Sequence, residues 1–191
     1  MDGQELLKQY TEGRRDFSRL NLSGIWLHDI ELKGINLQES DLSHSKLIGI
    51  NLTRANLKGI NFSHANLNIA KICGADLSYA NLNHVELGDG NLSNTSLHNT
   101  TLDYINLSRA ILVYVDMTSA SLSHSNLSYT DLSHGILNYT NLAHANLAFS
   151  NLDYADLRYA DFSYANLKKT VFNSVKLGST IFKGTVLTET N

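Results

Sequence analysis

Proline is absent from the 191 residues of this chain, and cysteine occurs once, at Cys73. Without proline, every backbone N–H can donate to a hydrogen-bonded ladder. A single cysteine excludes an internal disulfide and any zinc or redox motif that needs two thiols. No apolar run approaches the ~18 residues of a membrane span, and the opening MDGQELLKQY lacks the basic and then apolar pattern of a secretory signal. These absences predict a cytoplasmic protein without membrane association.

Charge is sparse and nearly balanced, with 15 Lys and Arg against 18 Asp and Glu and a net charge of −3. This balance predicts no direct nucleic-acid binding. The distribution is uneven, because the stretch from Asp76 to Asp161 contains nine acidic residues but only two basic ones, Arg109 and Arg158, a net charge of −7. We call this stretch the acidic middle, and it is either a solvated belt or a functional surface.

A five-residue register dominates the chain. Every fifth residue from Phe17 to Leu187 is large and apolar, and these 35 positions hold 28 Leu, five Phe, one Ile and one Met. A smaller residue, often Ala, stands two places earlier, and Asn or Asp commonly stands between the two. Neither a helix of period 3.6 nor a strand of period 2 keeps this pattern on one face. The register therefore predicts short sides with two inward side chains each, joined by corners.

Aromatic residues at the corners indicate how many sides close one coil. Seven of them, two places after the large residue, are separated by multiples of twenty: His44, His64, His84, Tyr104, His124, His144 and Tyr164. A coil of four five-residue sides would stack these side chains in one column, which we call the histidine column. The 35 phrases then make between eight and nine coils, a rod of roughly 40 Å at ~4.8 Å per coil.

The phrase Ala-Asp/Asn-Leu-X-X resembles the repeat of the pentapeptide repeat family, from about Phe17 to Leu187. The lead-in ELLKQYTEGRRDF also resembles the openings of many cyanobacterial members. The resemblance implies an all-β fold, a right-handed quadrilateral parallel β-helix.

The two ends of the predicted solenoid differ. Leu6, Leu7 and Tyr10 have helical spacing before Gly13, so residues 1–16 are predicted to form a short N-terminal helical cap and residues 17–191 the solenoid. Near the other end, apolar residues occupy outward positions and form a candidate dimer end: Val171, Ile181 and Val186. An uncapped apolar coil favours a C-terminal homodimer. The alternative is fraying, or a short irregular cap from residue 188 to residue 191.

Corner residues change along the chain. Glycine occupies the corner position five times between Gly24 and Gly74, and only once later, at Gly184. Because glycine tolerates positive φ, this pattern predicts type II corners in the first third. A different geometry is predicted farther on, where Tyr, His, Ser or Phe stands.

Eight consecutive corners carry rings and form a candidate interaction surface, which we call the aromatic girdle: Tyr129, His134, Tyr139, His144, Phe149, Tyr154, Tyr159 and Tyr164. Exposed aromatic clusters often anchor interfaces. Stacked rings can instead stabilise neighbouring strands, and the sequence leaves both interpretations open.

Nucleophile motifs, phosphate-binding glycine loops and paired carboxylates in a pocket are missing from the sequence. We therefore expect no enzyme and no cofactor, but a scaffold or protein-interaction rod with an unidentified protein partner. A metal ion on the histidine column is not expected, since no carboxylate or thiol column completes a ligand set. The resemblance to fluoroquinolone-resistance members implies an alternative, a DNA-mimicking topoisomerase-binding protein with gyrase as partner. Duplex DNA carries about twelve charges over roughly 20 Å, more than the acidic middle.

Overall fold

The computed structural model describes residues 1–190, which form one helix followed by a β-solenoid. Helix α1 spans Gly3–Thr11, and its N-cap Asp2 accepts a hydrogen bond from the Glu5 backbone N–H at 2.9 Å. Beyond it, 31 parallel bridges of one residue each join a residue to the one twenty places further on, from Asp16↔Asn36 to Asn166↔Val186. Residues 1–190 contain no longer strand, and none of their helices is long and apolar enough to cross a membrane. The predicted β-solenoid is confirmed.

The bridges define four faces along the rod. Face 1 runs from Asp16 to Lys176, face 2 from Asn21 to Ile181, face 3 from Trp26 to Val186 and face 4 from Glu31 to Val171. Each side donates hydrogen bonds in both axial directions. The Leu102 N–H donates to the Ser121 carbonyl at 2.7 Å, and the Thr101 N–H donates to the Ala80 carbonyl at 3.1 Å. Residues twenty apart in sequence are therefore direct neighbours along the rod.

The large residues of the register fill the interior. From Phe17 to Leu167 all of them are at most 5% exposed. Most inward positions two places earlier are alanine, isoleucine or valine, but some carry buried hydroxyls that donate to backbone carbonyls, as Thr140 Oγ1 does to the Met117 carbonyl at 2.9 Å. Within residues 1–190, every buried side-chain nitrogen and oxygen has a hydrogen-bond partner. A filled interior leaves chemistry and binding to the surface and the ends.

Asn and Asp precede the large residue because they hold the bend that follows it. Their Oδ1 accepts the backbone N–H two residues ahead, for example Ser23 N–H to Asn21 at 3.1 Å and Ser78 N–H to Asp76 at 2.9 Å. Such side chains mimic a backbone turn. The Asn or Asp of each phrase thus has a structural task at the surface, apart from any binding.

The prediction of two kinds of corner is wrong. All 35 corner residues have positive φ, between 54° and 71°, whether they are glycine, tyrosine or histidine. The same φ at every corner, whatever its residue, shows that the position in the five-residue phrase and not the residue type sets the corner conformation. A non-glycine residue in this left-handed region costs roughly 1–2 kcal/mol, which the surrounding hydrogen bonds and stacked rings must offset.

The two ends of the rod are unlike. At the first coil, Leu6 of α1 is fully buried with Phe17 in the same core, and the Tyr10 hydroxyl donates to the Lys33 carbonyl at 2.9 Å. At the last coil, Leu177 is 56% and Leu187 52% exposed, although both stand in the inward register. Asn191, the final residue of the predicted solenoid, lies outside the described residues.

Candidate functional site

The aromatic girdle consists of four stacked pairs, one at each corner. Centroid distances are 4.8 Å for Tyr129–Phe149, 4.9 Å for His134–Tyr154, 4.7 Å for Tyr139–Tyr159 and 5.0 Å for His144–Tyr164. In each pair the rings lie within 12° of parallel. The rings therefore cover each other's faces and present edges and hydroxyls to solvent, while a face of the rod separates one pair from the next.

The structure places the seven predicted members of the histidine column in one continuous stack. Successive ring centroids from His44 to Tyr164 are 4.7–5.0 Å apart, and their planes agree within 12°. Parallel imidazoles at this spacing direct their nitrogens outward in one direction and not toward a shared ion. Across residues 1–190, no group of three or more His, Cys, Asp or Glu side chains is arranged to hold a metal ion.

A third stack follows face 4, where Tyr114 and His134 are 4.8 Å apart and His134 continues to Tyr154. Tyr114 is absent from the girdle defined on the sequence. It belongs to the run ILVYV, residues 111–115, in which Ile111 stands where most phrases have Asn or Asp. Ile111 is 45% and Tyr114 57% exposed. That break in the register was the available signal for an apolar surface position.

Both basic residues of the acidic middle are already paired. Arg109 Nε donates to Asp89 Oδ1 at 2.7 Å, and Arg158 donates to both carboxylate oxygens of Asp156 at 2.8 and 2.7 Å. These hydrogen bonds are the largest cause of the lowered pKa of the Asp89 carboxyl and of the Asp156 carboxyl. Asp156 is only 8% exposed, and Lys176 Nζ lies 3.9 Å from its Oδ2. Asp156 is therefore a structural ion-pair centre.

The other seven carboxylates of the acidic middle have no salt bridge within residues 1–190. They are spread over all four faces, with at most two on any one: Asp76 and Asp116 on face 1, Asp103 and Asp161 on face 2, Glu86 on face 3, and Asp131 and Asp153 on face 4. No face of the acidic middle carries a continuous line of charge like that of duplex DNA.

The C-terminal end exposes interior as well as outward apolar side chains. Ile181 is 48% and Val186 47% exposed, and Val171 is half-buried. Beside them lies a shallow depression of about 310 Å³ with an almost wholly apolar lining: Phe172, Val175, Leu177, Phe182 and Leu187. The sequence pointed to the outward residues, but the depression arises because no coil among residues 1–190 covers the inward ones.

Another depression, of about 470 Å³, lies at the N-terminal end between the start of α1 and the first coil. Trp26 lines it and is 75% exposed, while the remaining lining is mainly small and polar. Neither depression brings a nucleophile together with a histidine and a carboxylate.

Comparison with known proteins agrees with this geometry. A family model described as pentapeptide repeats matches with eight copies, over residues 16–54, 50–89, 91–128, 125–163 and 150–188. No curated protein matches the chain.

Similar solved structures include HetL, a pentapeptide repeat protein involved in heterocyst differentiation regulation from the cyanobacterium Nostoc sp. strain PCC 7120. It is 29% identical, with 98% of this chain and 95% of that chain covered and a TM-score of 0.29. Rfr23, a pentapeptide repeat protein from the cyanobacterium Cyanothece 51142, is 25% identical, with coverage of 94% and 99% and a TM-score of 0.25. A trypsin-treated form of QnrB1, a plasmid-mediated fluoroquinolone resistance protein, is 15% identical, with coverage of 85% and 90% and a TM-score of 0.50. The likeness to QnrB1 shows a shared fold.

Proposed function

The chain belongs to the pentapeptide repeat family, and we propose that it is a non-enzymatic cytoplasmic scaffold or protein-interaction rod. The observation that carries the proposal is the aromatic girdle on a filled rod. Its six Tyr and Phe rings are 41–59% exposed, although they stack on neighbours. Rings held in place by the backbone ladder lose little entropy on binding, which is what interface anchors require.

The finer features of the fold belong to the same proposal. We propose a right-handed coil, between eight and nine coils, and a capping role for helix α1. Parallel β crossovers are right-handed in nearly all proteins, the 35 phrases divide into coils of four, and solenoid ends normally need a polar cover. The full burial of Leu6, which α1 inserts into the same core as Phe17, supports the capping role.

Affinity capture from the native lysate tests the interaction proposal. The test variant replaces Tyr139, Phe149 and Tyr159 by serine, and the control variant replaces Tyr79 and Tyr104, which are as exposed but lie outside the girdle. Loss of captured proteins in the test variant alone is the expected result. If the test variant retains every protein that the wild type captures, the girdle is not the binding surface.

We also propose that the open C-terminal end pairs two copies of the chain tail to tail. Because α1 covers the first coil, a head-to-tail contact lacks a second open coil, so pairing closes at a dimer and forms no filament. Sedimentation velocity should show a dimer that dissociates when Leu177 and Leu187 become lysine, whereas Ile136→Lys leaves it intact. A wild type that remains monomeric at about 100 µM, a concentration well above a Kd of about 1 µM, contradicts the pairing.

A DNA-mimicking topoisomerase-binding protein, with gyrase as partner, is the second candidate. The observation that favours it is the net charge of −7 in the acidic middle. The spread of the seven carboxylates over four faces weighs against it. A supercoiling assay decides, because a mimic inhibits gyrase or protects it from fluoroquinolones at micromolar protein, and the absence of both effects removes this candidate.

A further inference from the structure

We propose that face 4, between Ile111 and Val171, docks a basic polypeptide segment that carries aliphatic side chains. The inference rests on the proposed function as an interaction rod, and it names one surface of that rod and the chemistry of its partner. Two observations carry it: an uncompensated pair of carboxylates, and the apolar side chains on either side of that pair.

The carboxylates are Asp131 and Asp153. They lie on adjacent coils, since Asp131 bridges to Asn151, two residues before Asp153. Asp131 Oδ1 accepts the Ser133 N–H at 3.0 Å and the Asn151 side chain at 3.3 Å, and Asp153 Oδ1 accepts the Asn173 N–H at 2.8 Å. Within residues 1–190, neither Oδ2 accepts a side-chain hydrogen bond and neither carboxylate has a salt bridge. Both groups are held in position with one oxygen free.

Apolar side chains border this pair on both axial sides. Ile111 bridges to Asp131 from one coil below, and Val171 bridges to Asn151 from one coil above. Stacked rings flank the face laterally, with Tyr129 and Phe149 on one corner and Tyr154 on the other. Three coil spacings of ~4.8 Å separate Ile111 from Val171, roughly 14 Å, which an extended segment of about four or five residues spans.

The other faces do not repeat this arrangement. On face 2, Asp103 and Asp161 lie three coils apart, and no aliphatic side chain as large as valine stands outward between them. Face 1 carries Ile136, which is 43% exposed, but there Arg158 and Lys176 accompany the buried Asp156. Within the acidic middle, face 3 carries one carboxylate, that of Glu86. Within residues 1–190, face 4 alone combines adjacent uncompensated carboxylates with the exposed Ile111 and the half-buried Val171.

Charge complementarity selects the occupant. An acidic segment, or a second copy of this face, would place like charges together without a counterion from the protein. A segment with two Lys or Arg residues places a cation against each of the two free oxygens. The patch is small, so binding is weak and transient.

Fluorescence anisotropy with a defined peptide tests the proposal. The probe is a labelled hexapeptide of alternating valine and lysine. One control peptide has glutamate in place of every lysine, and a second has serine in place of every valine. The face 4 charge variant combines Asp131→Asn with Asp153→Asn. Its control combines Asp103→Asn with Asp161→Asn on face 2 and removes the same charge. Asparagine keeps an Oδ1 acceptor for the backbone N–H that each of these four carboxylates accepts. Ile111→Ser is matched by Ile136→Ser, an equally exposed isoleucine on face 1.

At about 50 mM salt, where screening is weak, the face 4 charge variant should bind the probe roughly three- to tenfold more weakly than the wild type. Ile111→Ser should weaken binding severalfold, and the two matched variants should bind as the wild type does. Equal weakening by both charge variants would show general attraction to an acidic rod and overturn the proposal, as would absence of binding to the wild type. If the girdle variants lose their captured partner while face 4 variants keep probe affinity, the scaffold function stands and the docking site does not.

Discussion

Replacing Tyr104 and His124 by alanine, singly and together, measures what the histidine column contributes to stability. The Tyr104 ring stacks on His84 and on His124 at 5.0 Å each, and it is 54% exposed. Burial of roughly half of its ~200 Å² stabilises by about 2 kcal/mol. Each stack adds ~0.5–1.5 kcal/mol beyond burial. Alanine keeps the Cβ and therefore the cost of the left-handed corner, so Tyr104→Ala should destabilise by about 3–5 kcal/mol.

The double-mutant cycle isolates the stack itself. Urea unfolding followed by circular dichroism should give a coupling energy of about 0.5–1.5 kcal/mol for Tyr104 with His124. The control cycle pairs Tyr104 with Tyr114, which belongs to a different corner column, and should give coupling below about 0.5 kcal/mol. If the stacked pair couples no more than the control pair, stacked corner rings do not stabilise neighbouring coils in this column.

Three further predictions concern the core, the open end and pH. Leu102→Ala, at a fully buried position, should cost about 2–5 kcal/mol in urea unfolding, whereas Leu187→Ala at the open end should cost under about 1 kcal/mol; equal costs would contradict the exposed last coil. Thr140→Val removes the hydroxyl that donates to the Met117 carbonyl, which keeps the Ala120 N–H as a donor, and should cost about 0.5–1.5 kcal/mol; an unchanged unfolding midpoint would contradict this. The hydrogen bond from Arg158 lowers the pKa of Asp156 below its ordinary value of 3.8. Its stabilisation is therefore complete above about pH 4 and is lost as pH falls through the lowered pKa; Asp156→Asn should flatten acid unfolding in that range, and an unchanged acid limb would contradict the assignment.

The sequence predicted the solenoid because burial imposes one pattern on every side. Neither a helix nor a strand keeps every fifth residue on one buried face. The five-residue spacing alone therefore identifies the inward positions. The twenty-residue coil follows from the spacing of the corner rings, as the stack from His44 to Tyr164 shows. Corner geometry was mispredicted because glycine content reports only which residues tolerate positive φ easily, whereas every corner of this chain adopts it, including those occupied by tyrosine and histidine.

Surface contacts were harder to predict, although the twenty-residue coil length identifies some of the side chains that are neighbours. Arg109 follows Asp89 by twenty residues, so their ion pair could have been found once coils were aligned. The pairing of Arg158 with Asp156 could not, because it depends on a side-chain rotamer within one side. The depression at the C-terminal end depends on the absence of a covering coil among the described residues, which composition alone does not express.

Breaks in the repeated phrase mark surface positions that packing and turn formation do not explain. The two inward positions are committed to packing, and Asn or Asp before the large residue is committed to holding the bend. An aliphatic residue in that place gives up the turn hydrogen bond, as Ile111 does, and gains exposed apolar surface. Stacking then places Asp131 one coil above it, although twenty residues separate the two in sequence. The docking proposal explains why such a substitution would be kept: it costs local turn stability and assembles a mixed acidic and apolar strip across coils on face 4, which the peptide titration tests.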